Sequence, residues 1–173
     1  MRTEIEQTKT ERGVYRAYVP GNRWSRLFQR MPLLFWRLGL AWLIGRWMLV
    51  LTTVGRKSGL PRQTMINYYR VAGRKYAYSG FGPRSDWFRN LEADPHVTVQ
   101  TTDGTQTGLA RRVTDPDELV RVMHVLMASY PAAATMLRQN WGDSPMTDEA
   151  IAASIDRFYL VAFDLNGDAL SPA

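Results

Sequence analysis

The chain reads as an α+β protein, a small barrel of about six mainly antiparallel strands with N-terminal and peripheral helices packed around it. Three observations predict this. The spacing of apolar residues is helical before residue 48 and close to two after it. Short turn signals separate the strand-like runs. Strands do not alternate with helices as a doubly wound nucleotide-binding sheet requires. A length of 173 residues fits one domain able to bury a core, taken as 22–173 behind a flexible arm at 1–21.

The arm is mixed in charge and lacks the apolar core of a secretory signal, so no export signal is expected. It ends at Pro20-Gly21, where Asn22 or Ser25 can cap a helix. From Trp24 to Trp47 the pattern is helical, in two segments broken near Pro32. Leu27, Phe28, Leu34, Phe35, Leu38, Trp42 and Leu43 form one apolar face. Arg37 and Arg46 interrupt the apolar stretch, which argues against a membrane span. The face therefore docks on its own domain or, flanked by Arg23, Arg26 and Arg30, makes peripheral contact with the inner face of the cell membrane.

Strands are predicted at Met48 to Val54, Gln63 to Val71 and Arg74 to Ser79, the last two joined by a turn at Ala72-Gly73. A glycine-punctuated loop, Gly80 to Arg84, leads into a short helix with Ser85 or Asp86 as its cap, ending at Asp94-Pro95. His96 to Thr101 and Thr105 to Val113 alternate around Asp103-Gly104 as a hairpin. Asp115 or Thr114 caps the next helix, with Pro116 at its first position, and Tyr130-Pro131 ends it. Helices at Ala132 to Gln139 and Thr147 to Asp156 follow. A strand from Arg157 to Leu165 closes the fold before the Asn166-Gly167-Asp168 turn.

Composition narrows the chemistry. Six Trp, eight Tyr and six Phe argue against disorder and suit flat ligands, while a net charge of +6 suits an acidic ligand or surface. The absence of cysteine excludes disulfides, thiolate catalysis and Cys-ligated zinc, and fits a reducing, cytoplasmic setting. His96 and His124 are isolated and show no ligand spacing, so no metal site is expected. His96 opens a strand without a partner, and His124 is structural or exposed. Asp115, Asp117 and Glu118 read as helix-terminus electrostatics. Nothing resembles a nucleic-acid reading element.

The densest signal is Leu51 to Arg62, where a β-rich run enters a turn carrying Gly55, Arg56, Lys57, Ser58, Gly59 and Arg62. Glycines allow close backbone approach, and the cations can supply charge-assisted hydrogen bonds to phosphate or carboxylate. A solvated hairpin turn with charges kept for solubility is the other reading. The order is not that of a nucleotide P-loop.

Three further features accompany this turn: Asn67-Tyr68-Tyr69, the Ser79 to Arg84 loop, and Ser85-Asp86-Trp87-Phe88-Arg89-Asn90-Leu91-Glu92-Ala93-Asp94-Pro95. Together they resemble the deazaflavin-dependent nitroreductase and quinone reductase family, with its G-[RA]-K-[ST]-G-x-x-R and W-[YF]-x-N-L-x-A-[ND]-P elements. The match is strong at Thr52 to Arg62 and Trp87 to Gln100, and Tyr130-Pro131 looks like a further family element. The resemblance implies a split β-barrel related to flavin-binding oxidoreductases. It also implies reduced 8-hydroxy-5-deazaflavin, coenzyme F420, as hydride donor to quinones, nitroaromatics or other activated acceptors. By the same resemblance Arg56, Lys57, Ser58 and Arg62 hold the phosphate and tail, and the strand around Asn67 lies along the cofactor; on charge alone, Arg74 or Lys75 can join them further along the tail. Ser79 offers its hydroxyl or amide to the ring or substrate, Trp87 and Asn90 complete the cofactor wall, and Tyr130 faces the acceptor. Related barrels often pair, which makes a homodimer an expectation.

Some residues depart from the pattern. The loop from Ser79 to Trp87 is shorter, Gly80 stands where many members carry lysine, Met65 replaces a proline, and Ala132 to Met136 lacks further tyrosines. An FMN- or haem-related barrel protein and a non-catalytic lipid or hydrophobe carrier are the competing readings. Read without the family, Trp87, Phe88 and Leu91 are core, Asn90 satisfies a backbone group, and Tyr130 ends a helix.

Overall fold

Seven strands form one sheet in the computed structural model, which describes residues 47–141 and 145–167. The predicted arm, the helices between Trp24 and Trp47 and the last turn residue, Asp168, lie outside the described residues, apart from Trp47 itself. In chain order the elements are β1 (Met48–Val54), β2 (Pro61–Asn67), β3 (Tyr69–Val71), β4 (Arg74–Tyr78), a 3₁₀ turn (Gly82–Arg84), α1 (Asp86–Ala93), β5 (His96–Thr101), β6 (Gly104–Arg112), α2 (Pro116–Ser129), α3 (Pro131–Trp141), α4 (Asp148–Ala153) and β7 (Leu160–Leu165).

Every strand pair is antiparallel, in the order β2-β1-β5-β6-β7-β4-β3. The predicted strand from Gln63 to Val71 is therefore two strands. Their break at Tyr68 carries the chain from one edge of the sheet to the other. The physical cause is visible at that residue: its amide donates to the Trp47 carbonyl at 3.0 Å, and its ring is buried in the core. This passage curls the sheet into a split β-barrel.

Two apolar clusters occupy its two sides. Alternation along β1 turns Leu49 and Leu51 inward with Val97 and Val99 of β5, Ala110 of β6 and Phe163 of β7. Phe88 and Leu91 of α1 join this cluster. Against the other part of the sheet, Leu119, Val122, Met123 and Leu126 form one stripe of α2 at helical spacing. They pack with Ala133 and Leu137 of α3 and Ile151 of α4 over Tyr69, Tyr76, Leu160 and Ala162.

The β3–β4 turn sits at Ala72-Gly73 as expected, with φ of 48° and 82°, the paired left-handed conformation of a tight hairpin. The β5–β6 turn is one residue earlier than expected. Thr101 pairs with Gly104, so Thr102-Asp103 form the loop and Gly104 takes φ 126° behind it. Asp115 caps α2 by accepting from the Asp117 amide. Thr147 caps α4, which is shorter than the predicted Thr147 to Asp156 because the Ser154 hydroxyl, at 2.6 Å, bonds the Ile151 carbonyl. The final strand consequently starts at Leu160 rather than Arg157.

Gly108 lets β6 approach β7 closely: a Cβ there would run into the Asp164 carbonyl and lie 2.7 Å from the Leu165 Cα. Both are main-chain atoms that cannot step aside. Gly108→Ala is expected to cost about 1–3 kcal/mol through overpacking. Thermal denaturation checks this, and an unchanged Tm would contradict it.

Side-chain expectations are corrected at four residues. His96 has a partner, since its Nδ1 lies 2.8 Å from Asp94 Oδ1. Glu118 is more than a helix-terminus charge. Its side chain is 8% exposed and receives hydrogen bonds from both Arg111 terminal nitrogens and from the Tyr76 hydroxyl, with Arg74 beside it. Asp164 completes the cluster next to Arg74 and Arg111. Arg74 thus serves this cluster and not the basic turn. Lys75 is buried and donates to Gln106 Oε1 at 2.9 Å, so it too is occupied within the sheet.

Candidate functional site

The cation-bearing turn links β1 to β2. The Gly55 amide donates to the Leu60 carbonyl, and the Ser58 and Gly59 amides both donate to the Gly55 carbonyl, at 2.9, 2.9 and 2.7 Å. A Cβ on Gly55 would sit 2.8 Å from Ser58 Oγ, and Gly59 has φ 65°, so both glycines are geometric requirements. With these amides used in closing the turn, anion binding there falls to the side chains.

Asn90 docks the turn onto α1. It is only 4% exposed, yet every polar atom of its amide has a partner. Its Nδ2 donates to Thr53 Oγ1 at 3.0 Å, while its Oδ1 accepts from the Arg56 amide at 3.2 Å and from Arg56 Nη1 at 3.1 Å. Arg56 continues to the first residue of the helix, with Nη2 2.8 Å from Asp86 Oδ1 and Nη1 3.4 Å from the Asp86 carbonyl. The two sequence motifs, 30 or more residues apart at these contacts, are one structural unit joined by Asn90 and Arg56.

Lys57, Ser58 and Arg62 remain on the outer rim, all exposed. Ser58 Oγ accepts from Arg62 Nη2 at 3.3 Å and from the Leu60 amide at 3.4 Å. Among the described residues no carboxylate forms an ion pair with Lys57 or Arg62. Asn67 is exposed at the other end of β2, five positions from Arg62, so strand alternation sets the two on opposite faces.

Ser79 is 1% exposed and makes its bonds inside the chain. Its amide donates to the Tyr159 carbonyl at 2.9 Å, and its hydroxyl lies 2.9 Å from the Gly82 carbonyl and 2.7 Å from Ser85 Oγ. The donors that the resemblance offers to a ring are thus engaged in shaping the loop. Ser85 stands at the cap position of α1 but makes no side-chain cap, because its hydroxyl is spent on Ser79. Trp87 is half-buried and meets Phe88 edge-on, and Phe88 in turn meets Tyr159. Tyr130 ends α2 and ties it to β3: its hydroxyl accepts from the Arg70 amide at 3.1 Å and its ring packs edge-on against Tyr69.

The fold therefore gathers Arg56, Lys57, Ser58, Arg62 and Asn90, reaches Ser79 through Ser85, and leaves Asn67 and Tyr130 elsewhere. Thr53 and Asp86 belong to the unit and were not singled out as site residues. Thr53 was detectable, since alternation on β1 turns its hydroxyl inward with Leu49 and Leu51, where it needs a partner. Asn90→Ala is expected to cost about 1–3 kcal/mol by stranding the Arg56 amide and leaving the Thr53 hydroxyl with only its long contact to the Arg62 carbonyl. Chemical denaturation measures it, and a loss well under that range would mean the docking is not held by Asn90.

A curled antiparallel sheet with a cationic turn at its rim, braced from behind by a helix, defines a split-barrel protein with a cation-bearing edge. The chain belongs to the F420H(2)-dependent quinone reductase family, an enzyme family whose sequence model matches residues 37–147. Among solved structures it is similar to Atu2129 of Agrobacterium tumefaciens C58, a protein of unknown function, at 21% identity and TM-score 0.50, covering 69% of this chain and 48% of that one. The chain thus spans about half the length of that protein. A structure described as a domain-swapped dimer matches at 18% identity and TM-score 0.50, over 95% of this chain and all of the other. The F420-H2-dependent reductase FDR-A matches at 21% identity and TM-score 0.49, over 70% of this chain and 95% of that one. At these identities the two matches reaching 0.50 speak to the fold alone. Among the described residues, no helix is long and apolar enough to cross a membrane, and no group of three or more His, Asp or Glu could hold a metal ion.

Proposed function

We propose that this protein transfers a hydride from reduced coenzyme F420 to a quinone-like, nitroaromatic or otherwise electron-poor organic acceptor. Family membership supports the cofactor. One observation carries the site: the turn is braced by Asn90 and Arg56 while Lys57 and Arg62 stay exposed, with no carboxylate paired to them among the described residues. The coenzyme's tail bears a phosphodiester and glutamate carboxylates, and two cations beside a hydroxyl are a donor set that fits it.

In this reading Lys57, Arg62 and Ser58 bind the tail, Arg56 and Asn90 hold the turn in place, and β2 through Asn67 borders the cofactor. Trp87 contributes to the wall, Ser79 shapes the loop beside the ring, and Tyr130 acts on the acceptor side by positioning β3. The bound coenzyme supplies the hydride, and the chain supplies alignment and a polar rim for the tail. No side-chain nucleophile is needed. Pairing into a homodimer and peripheral contact with the inner face of the membrane through residues 24–47 complete the reading, tested by sedimentation and by flotation with anionic vesicles.

Fluorescence titration with oxidised F420, followed by single-turnover oxidation of the reduced coenzyme by a short-chain naphthoquinone, is the primary test. The expected Kd is micromolar or tighter. Failure to bind up to millimolar coenzyme overturns the proposal, and binding of FMN in its place would establish the alternative cofactor.

A further inference from the structure

The two edges of the Arg56 guanidinium are held very differently. Nη1 is anchored inward, on buried Asn90 Oδ1 at 3.1 Å and on the Asp86 carbonyl at 3.4 Å. Nη2 faces outward and meets Asp86 Oδ1 at 2.8 Å. Asn90 cannot let go without stranding the Arg56 amide and taking its donor from the buried Thr53 hydroxyl. The Asp86 carboxylate has no such hold: its side chain is 83% exposed, against 23% for Arg56, and among the described residues its only ion pair is this one.

We propose that Asp86 is a resident counter-anion for Arg56, competing with the anionic cofactor tail for the outer guanidinium edge and thereby setting how tightly the tail is held. The inference rests on the F420 reading above. An exposed ion pair is weak, so exchanging it for a phosphate or carboxylate oxygen costs little. The guanidinium fork offers an incoming oxyanion the same geometry it offers Asp86. An Asp86 left unpaired after the exchange adds a like charge beside the tail, which also lowers affinity. Arg56 thereby has a double use, bracing the turn with one edge and receiving an anion with the other. An acid at the first position of α1 also has a plain structural use, since it suits the positive end of the helix.

Asp86→Asn keeps the shape and the main-chain contact and removes the charge, while Asp86→Glu keeps the charge. Each is titrated with oxidised F420, with the coenzyme lacking its glutamates, and with the ring fragment lacking both the phosphate and the glutamates. Asp86→Asn is expected to tighten F420 binding roughly three- to tenfold at low ionic strength, with the gain shrinking at high salt. The ring fragment should bind both proteins alike, and Asp86→Glu should stay near the parent chain. A gain retained without the glutamates identifies the phosphodiester as the competing group, and a gain confined to the full coenzyme identifies the glutamates. Unchanged or weaker F420 binding by a folded Asp86→Asn chain overturns the inference and leaves Asp86 a helix-terminus charge. Should the parent chain bind no form of the coenzyme, the F420 reading falls. Titration of both proteins with inorganic phosphate and with glutamate then decides the competition separately: a gain in Asp86→Asn sustains it, and none ends it.

Discussion

Replacing Lys57 and Arg62 together by alanine is expected to weaken binding of oxidised F420 by about 100-fold or more. Charge-assisted hydrogen bonds contribute roughly 1.5–3 kcal/mol each, reduced here because both side chains sit on an exposed rim. The stability of the protein should scarcely change, since neither residue is buried and surface substitutions stay within about 0.5 kcal/mol. Parent-chain affinity should fall with added salt, and the double variant should lose most of that dependence. Arg62→Lys should keep part of the binding, because it retains the charge and loses the fork. Fluorescence titration across ionic strength reads all of this. Parent-like affinity in the double variant would remove the turn from the cofactor site.

The second large effect concerns stability. Glu118→Ala leaves Arg111 and Arg74 with Asp164 as their one remaining carboxylate in the cluster; breaking a buried pair from one side costs about 3–5 kcal/mol, reduced to about 2–3 kcal/mol by Asp164 and by the partial exposure of Arg111. The same residue makes an acid limb. Burial alone would raise the Glu118 pKa, but the hydrogen bonds from Arg111 and Tyr76, together with the charges of Arg111 and Arg74, outweigh it and hold the carboxyl below its ordinary 4.5. A carboxyl with a depressed folded pKa stabilises the protein fully above its unfolded pKa, and that contribution is lost as pH falls through the folded value. Stability of the parent chain should therefore decline as pH drops below about 4.5, and Glu118→Gln should flatten that decline while being less stable at neutral pH. Urea denaturation at neutral and acidic pH measures both. A neutral-pH loss under about 1 kcal/mol for Glu118→Ala would contradict the network as described.

Much of the local structure was legible. The β1 boundaries, the Ala72-Gly73 hairpin, the Asp115-Pro116 start of α2 and its end at Tyr130-Pro131 all follow from turn and capping chemistry that acts within a few residues. The break at Tyr68 was not legible, because its cause is an amide paired with Trp47, 21 positions upstream, and a ring drawn into the core. Periodicity sees neither. Glu118 looked like a first-turn acid because it is one; its burial depends on Arg111 of β6 and Tyr76 of β4 arriving beneath the helix. The same limit explains Ser79 and Ser85. Each hydroxyl was assigned outward or to a cap, and the folded loop turns them on each other.

The amino-acid order by itself determined the strand and helix periods, the glycines that close the turn at 55–59, the cations that turn carries, and the family to which they point. Those are properties of neighbouring residues and need no knowledge of what lies across the barrel. Tertiary structure alone decided that Asn90 couples the turn to α1, that Arg56 braces the turn through its inner edge while Lys57 and Arg62 stay exposed, and that Asp86 stands at the outer edge of Arg56. The reason is that satisfying a buried amide or a guanidinium takes partners 30 or more residues apart, and only closure of the sheet around α1 brings them within hydrogen-bonding distance.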